Sequence, residues 1–170
     1  MKQLIIFNGT MGVGKTTLSQ ALKQALPAAV FLDGDWCWDS HPFIVNARTK
    51  AMVMENIIFM LNSFIRCSVY ENIVFCWVMH EQEIMDRILA RLELKDCQVF
   101  LFSLVASPKA LKIRLQKDID QGLRTEDVLR RSMDRLPLYE KLDTVKIDVS
   151  NISPEETARQ IIMNRIIRKE

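Results

Sequence analysis

Eight consecutive residues, Gly9-Thr10-Met11-Gly12-Val13-Gly14-Lys15-Thr16, constrain this chain more than any other feature. They match G-x-x-x-x-G-K-[ST] at every fixed position, and they hold three of the chain's five glycines. A loop that wraps a phosphate with its own N–H groups needs backbone conformations that a side chain would obstruct. A helix beginning where the loop ends aims its partly positive N-terminus at the same phosphates. The flanks agree with that reading. Residues 4–7 are an unbroken apolar run, as in a strand buried on both faces. Residues 16–26 carry Leu18, Ala21, Leu22 and Ala25 on one helical face, and Pro27 ends the helix. The expected ligand of residues 9–17 is ATP with Mg²⁺. Lys15 is expected at the β- and γ-phosphates and the Thr16 hydroxyl on the metal, with Thr17 next in the helix.

The rest of the chain alternates strands and helices without repeats or linkers. Further strands are expected at 29–32, 73–78, 99–105 and 145–149. Helices are expected at about 46–68, at 81–94, from Pro108 through Leu111 and Leu115, and at 125–139. Ser107 and Pro108 read as a cap and first helical residue. Ser153-Pro154-Glu155-Glu156 reads as a capping box opening the last helix. Strands alternating with helices call for a parallel sheet covered on both sides, with ligands at the loops following the strands. The expectation is one α/β domain over residues 1–170, a three-layer α/β/α P-loop NTPase fold with a five-stranded parallel sheet. A short helical lid is expected at about 117–135.

Composition narrows the partners. A chain of 170 residues fits one domain, and 49% hydrophobic with 26% charged residues is an ordinary globular balance. The formal net charge is +2 with no basic block, so neither nucleic acid nor an anionic membrane is expected as a partner. No apolar stretch approaches the length of a membrane span, and residues 1–7 lack the pattern of a signal peptide. Cys37, Cys67, Cys76 and Cys97 have no metal-ligand spacing and read as reduced thiols of a cytoplasmic protein.

A P-loop alone does not say what is done with the nucleotide. A guanine-recognition N-K-x-D is absent, which counts against a GTPase. The third strand runs into Phe75-Cys76-Trp77-Val78-Met79-His80 with no carboxylate before Glu81, which counts against a motor or transporter ATPase. The second strand instead ends in Asp33-Gly34-Asp35. Two carboxylates one residue apart suit a division of labour, one holding Mg²⁺ and the other orienting or deprotonating an acceptor hydroxyl.

With these motifs the chain resembles the P-loop small-molecule kinases, the group of shikimate, gluconate, adenylylsulfate and nucleoside monophosphate kinases. The resemblance covers the chain in element order and is carried by the P-loop, Asp33-Gly34-Asp35 and the region 114–139. It implies that Asp35 contacts the acceptor as base and that Asp33 sits nearer the metal. It implies that Arg114 covers the adenine. Arg135-Leu136-Pro137-Leu138-Tyr139 is similar to the R-x-P-L-Y stretch of shikimate kinases, where the arginine helps to hold the acceptor. Phosphoryl transfer also needs positive charge over the γ-phosphate and exclusion of water. Gln121-Gly122-Leu123-Arg124 interrupts two helices, so Gly122 is the expected hinge and Arg124 the residue that closes from the lid.

The resemblance breaks after the third strand, where shikimate kinases have glycines and this chain has Trp77-Val78-Met79-His80. Trp36 and Trp38 share a face if the second strand continues through them. With Trp77 they suggest a flat-ring acceptor. Arg48 and Asn56 fall where nucleotide kinases place acceptor-binding helices. His41 and His80 read as structural. The expected activity is transfer of the γ-phosphate of ATP to a small-molecule hydroxyl or phosphate acceptor, first a nucleotide or nucleoside, then an antibiotic or sugar-like alcohol. The rival is an ATP-binding regulator with a kinase-like fold that transfers nothing. A polynucleotide kinase is the third reading, disfavoured by the near-neutral charge.

Overall fold

In the computed structural model, residues 1–166 are described, so the last four residues of the single-domain reading lie outside them. Five strands, β1 (Lys2–Asn8), β2 (Ala29–Asp33), β3 (Asn72–Cys76), β4 (Cys97–Val105) and β5 (Val145–Asp148), form one parallel sheet. Their order is β2-β3-β1-β4-β5, with the P-loop strand at the centre. Among the described residues six α-helices cover the sheet: α1 (Lys15–Ala25), α2 (Ala47–Arg66), α3 (Gln82–Leu89), α4 (Pro108–Asp120), α5 (Asp127–Arg135) and α6 (Pro154–Ile161). Among the described residues no helix is long and apolar enough to cross a membrane.

Alternation along the strands builds two cores. Ile5 and Phe7 of β1 face one side and join Leu18 and Leu22 of α1, Leu111 and Leu115 of α4, and Ile161 of α6. Leu4 and Ile6 face the other and join Ile57 and Leu61 of α2 and Met85 and Ile88 of α3. A strand buried on both faces must be apolar throughout, and Leu4, Ile5, Ile6 and Phe7 are each no more than 2% exposed. The three-layer α/β/α fold is therefore the one expected.

Several boundaries differ from expectation, each for a local reason. The third strand stops at Cys76 instead of 78, because Asn8 captures the chain beyond it. Its Oδ1 accepts from Met79 N at 2.8 Å and its Nδ2 donates to Met79 O at 2.6 Å. Helix α3 ends at Leu89 instead of 94. There Asn62 of α2 donates to Arg91 O at 3.0 Å and accepts from Glu93 N at 2.9 Å, taking backbone groups a helix would use. The helix expected over 125–139 divides into α5 and a 3₁₀ turn, Leu136–Lys141. Pro137 has no N–H to continue the α ladder. At α6, Ser153 accepts from Glu156 N at 3.1 Å, while the Glu156 carboxylate turns to Arg159 at 3.1 Å. A complete capping box occurs instead at α2, between Asn46 and Thr49.

Candidate active site

The P-loop joins the C-terminal end of β1 to α1. Two of its glycines are there for stated reasons. Gly12 has φ +77°, and a Cβ on it would lie 2.3 Å from Leu115 Cδ2, so only glycine lets α4 close over the loop. Gly14 stands at the N-cap of α1 with φ +108°, a conformation that side chains rarely adopt. Lys15 arches back over the loop, its Nζ donating to Thr10 O at 2.9 Å. Burial pulls the Lys15 ammonium below its ordinary range, and the neighbouring Asp35 and Asp33 oppose that fall.

The two carboxylates leave β2 in different ways. Asp33 is 6% exposed and accepts three hydrogen bonds. These come from Thr16 Oγ1 at 2.7 Å, Asp35 N at 3.1 Å and Cys76 Sγ at 3.4 Å. The bond from Asp35 N caps a 3₁₀ turn, Gly34–Trp38, which carries Asp35 back toward the loop. Trp77 Nε1 then holds Asp35 Oδ1 at 3.1 Å. The Asp35 carboxyl is raised above its usual range, by burial first and by the Asp33 charge second. Lys15, the Trp77 hydrogen bond and Arg124 act against the rise. The Cys76 thiol, buried beside Asp33, is pushed up to about 12 and stays protonated.

A cleft of about 440 Å³ opens over the loop, with Asp33, Asp35, Arg114, Arg124 and Val149 among its lining residues. Arg114 is fixed at one end. Its Nη1 donates to Val13 O at 3.0 Å and its Nη2 bonds to Val149 O, joining the P-loop to the end of β5. Arg124, in the break between α4 and α5, pairs with Asp118 at 3.0 Å and lies close enough to Lys15 and Asp35 to act on both. Gly122 has φ +70° in the same break.

The structure thus brings together Lys15, Thr16, Asp33, Asp35, Arg124 and Trp77. Arg135 lies at the end of α5 beside His80, whose imidazole is held below its usual range by burial first, then by Arg135, against Glu81. The three tryptophans do not converge. The 3₁₀ turn breaks the strand periodicity, so Trp36 turns away to pack edge-on against Phe31 at 5.1 Å and is 56% exposed. Trp38 turns the other way, toward Trp77, with ring centroids 6.2 Å apart. Arg48 is exposed in the first turn of α2, its N–H bonded to Asn46 Oδ1 at 2.9 Å. Asn56 donates to Cys37 O at 3.0 Å and so ties α2 to the Asp35 turn. Sequence reasoning passed over Asn8 and Cys76. A polar residue closing the apolar run before Gly9 was the available signal for Asn8. Nothing in the sequence placed Cys76 beside Asp33 before the register was known.

The strand order, the loop after β1 and the carboxylate turn after β2 define a kinase-like P-loop fold. A family model described as an AAA domain matches residues 5–133, and the chain belongs to that family. Comparison with curated proteins gives no match. Among solved structures the chain is similar to a tunicamycin resistance protein of Deinococcus radiodurans, with 20% identity and TM-score 0.74 over 96% of this chain and 95% of that one. It is similar to a shikimate kinase of Acinetobacter baumannii in complex with shikimate, with 19% identity and TM-score 0.68 over 99% and 96%. A gluconokinase of Sinorhizobium meliloti 1021 has 16% identity and TM-score 0.64 over 99% and 98%. At these identities the likeness is one of fold: that of the P-loop small-molecule kinases.

Proposed function

We propose that this protein transfers the γ-phosphate of ATP to a hydroxyl of a small molecule. The observation that carries the proposal is the linked set Thr16–Asp33–Asp35–Trp77 beside the buried Lys15. A fixed carboxylate beside a buried lysine suits capture of an acceptor proton next to a transferring phosphoryl group. A nucleotide-sensing regulator has no need of the second carboxylate held on its own indole.

The donor set fits Mg²⁺. Thr16 and Asp33 offer hard oxygen ligands at 2.7 Å from one another, beside the N-terminus of α1. Mg²⁺ bound there with the nucleotide would neutralise charge on the phosphates. The chain's own groups do the rest. N–H groups of residues 9–17 cradle the phosphates, and Arg114 lies at the adenine end. Lys15 leaves Thr10 O for the β- and γ-oxygens. Asp35 accepts the acceptor's proton, its raised carboxyl bringing it nearer to the proton it must take. Arg124, released from Asp118, adds positive charge over the γ-phosphate and keeps out water. Alignment and electrostatics supply the acceleration. A nucleotide- or nucleoside-like acceptor is the first choice and an antibiotic or sugar-like alcohol the second. The likeness in fold to a tunicamycin resistance protein and a gluconokinase supports keeping the second.

The test is acceptor-dependent ADP release from Mg²⁺-ATP across nucleosides, nucleotides, sugar acids, amino alcohols and aminoglycosides. Release with one acceptor, lost in both Lys15→Ala and Asp35→Asn, is the expected result. ATP binding with no stimulated turnover across the panel would favour the regulator.

A further inference from the structure

Beyond Asp35 a succession of aromatic rings leads away from the cleft. Trp77, which holds Asp35, meets Trp38 edge-on at 6.2 Å, and Trp38 meets Phe43 edge-on at 5.0 Å. This succession of rings leads from the carboxylate to the surface. There Phe43, Ile44 and Val45 are 58%, 51% and 52% exposed, three consecutive apolar residues in water. Both ends of their segment are anchored. Asn56 holds Cys37 O at 3.0 Å, and the Asn46–Thr49 capping box fixes the start of α2. The rim is therefore presented by fixed neighbours. The cleft reaches Asp35 and Val78, and the rings lie outside its lining.

We infer that the acceptor alcohol carries a ring-bearing apolar group that covers Trp38, Phe43, Ile44 and Val45 while its hydroxyl reaches Asp35. This rests on the phosphotransfer reading and names its substrate class. The occupant is argued from continuity. The ring succession begins at the residue that holds the proposed base, so a molecule seated at Asp35 has an unbroken aromatic path over Trp38 and Phe43 to the exposed rim. Burial of the exposed rim by the acceptor is then the source of its affinity.

Two matched pairs of alcohols test this, phenyl against methyl β-glucoside and phenyl against methyl β-riboside. ADP release gives kcat/KM, and quenching of tryptophan emission gives binding independently of transfer. The phenyl member is expected to exceed the methyl member about tenfold in kcat/KM. Phe43→Ala should erase the preference through KM, and Phe43→Leu should restore part of it. Because Phe43 is exposed, the fold is not at stake. Equal kcat/KM within both pairs, or a preference that survives Phe43→Ala, overturns the inference. So does absence of binding by every phenyl compound. Sedimentation showing a dimer that Phe43→Ala dissociates, with selectivity unchanged, would assign the rim to a second copy of the chain instead. Phe43-dependent binding of phenyl compounds with no transfer to any alcohol would uphold the rim and sink the phosphotransfer reading.

Discussion

Replacing Trp77 with phenylalanine removes one N–H and keeps an aromatic ring at a position only 9% exposed. The lost bond, Nε1 to Asp35 Oδ1 at 3.1 Å, is donated to a carboxylate. A hydrogen bond to a charged group contributes about 1.5–3 kcal/mol when shielded. Asp35 is partly open to water, which takes over some of that role, so about 1–1.5 kcal/mol is the appropriate size. If the bond serves to aim Asp35, kcat falls about 5- to 12-fold. The sign of the pH effect is separate and firmer. Donation to a carboxylate favours its charged form, and the Asp35 carboxyl is already raised by burial and Asp33. Losing the bond raises it further, so the acid limb of kcat moves to higher pH. A ¹³C carboxyl titration of Asp35 reads this without any acceptor, and a thermal melt separates it from the loss of packing where the larger ring stood. A titration midpoint that stays put or falls in folded Trp77→Phe would refute the assignment of that hydrogen bond.

Asp35→Asn should abolish transfer yet raise Tm at pH 7. A carboxyl raised in the folded state contributes stability below its unfolded value and loses it as pH rises through the folded one. The neutral amide removes that loss, so its advantage should shrink toward pH 4; a lower Tm at pH 7 would contradict the shift. Arg124→Gln should lower kcat about 100-fold or more while leaving the KM for ATP within about threefold, as expected of a group acting on the transferring phosphoryl. Asp118→Asn breaks only an exposed pair and should change kcat less than about fivefold, so equal losses in the two variants would disprove a transfer role for Arg124. Cys76, with its thiol pushed up to about 12, should resist iodoacetamide at pH 8 until urea is added, whereas the half-buried Cys67 reacts; mass mapping of labelled peptides decides it.

The fold was legible because its constraints are local. A four-residue apolar run, a G-x-x-x-x-G-K-T loop and an amphipathic helix in succession admit few alternatives, and each later strand repeats the pattern. The carboxylate pair was legible for the same reason, since Asp33 and Asp35 announce themselves at a strand end. What escaped was set by contacts distant in sequence. Trp36 and Trp38 diverge because Asp33 caps a 3₁₀ turn where strand periodicity was expected to persist. The third strand and α3 are cut short by Asn8 and Asn62, residues 71 and 31 positions away from the groups they capture. No reading of the flanks of Met79 or Glu93 supplies those partners. The division of the helix at Pro137 was present in the sequence, and the helical period simply outweighed it.

The absence of an acid on β3 and the presence of two after β2 are one arrangement. In register, Cys76 is the partner of both Asp33 on β2 and Phe7 on β1, so the three strand ends lie abreast. Asp33 must reach across Cys76 to meet Thr16 at 2.7 Å, and it does so past a side chain that is small, buried and protonated. An aspartate at position 76 would set a third negative charge beside Asp33 and Asp35. Like charges at that range disfavour ionisation, so the Asp35 carboxyl would climb further. The thiol instead donates to Asp33 at 3.4 Å and leaves Lys15 to face two carboxylates rather than three. The absence of a carboxylate at the end of β3 thus spares the pair on β2 a third negative neighbour.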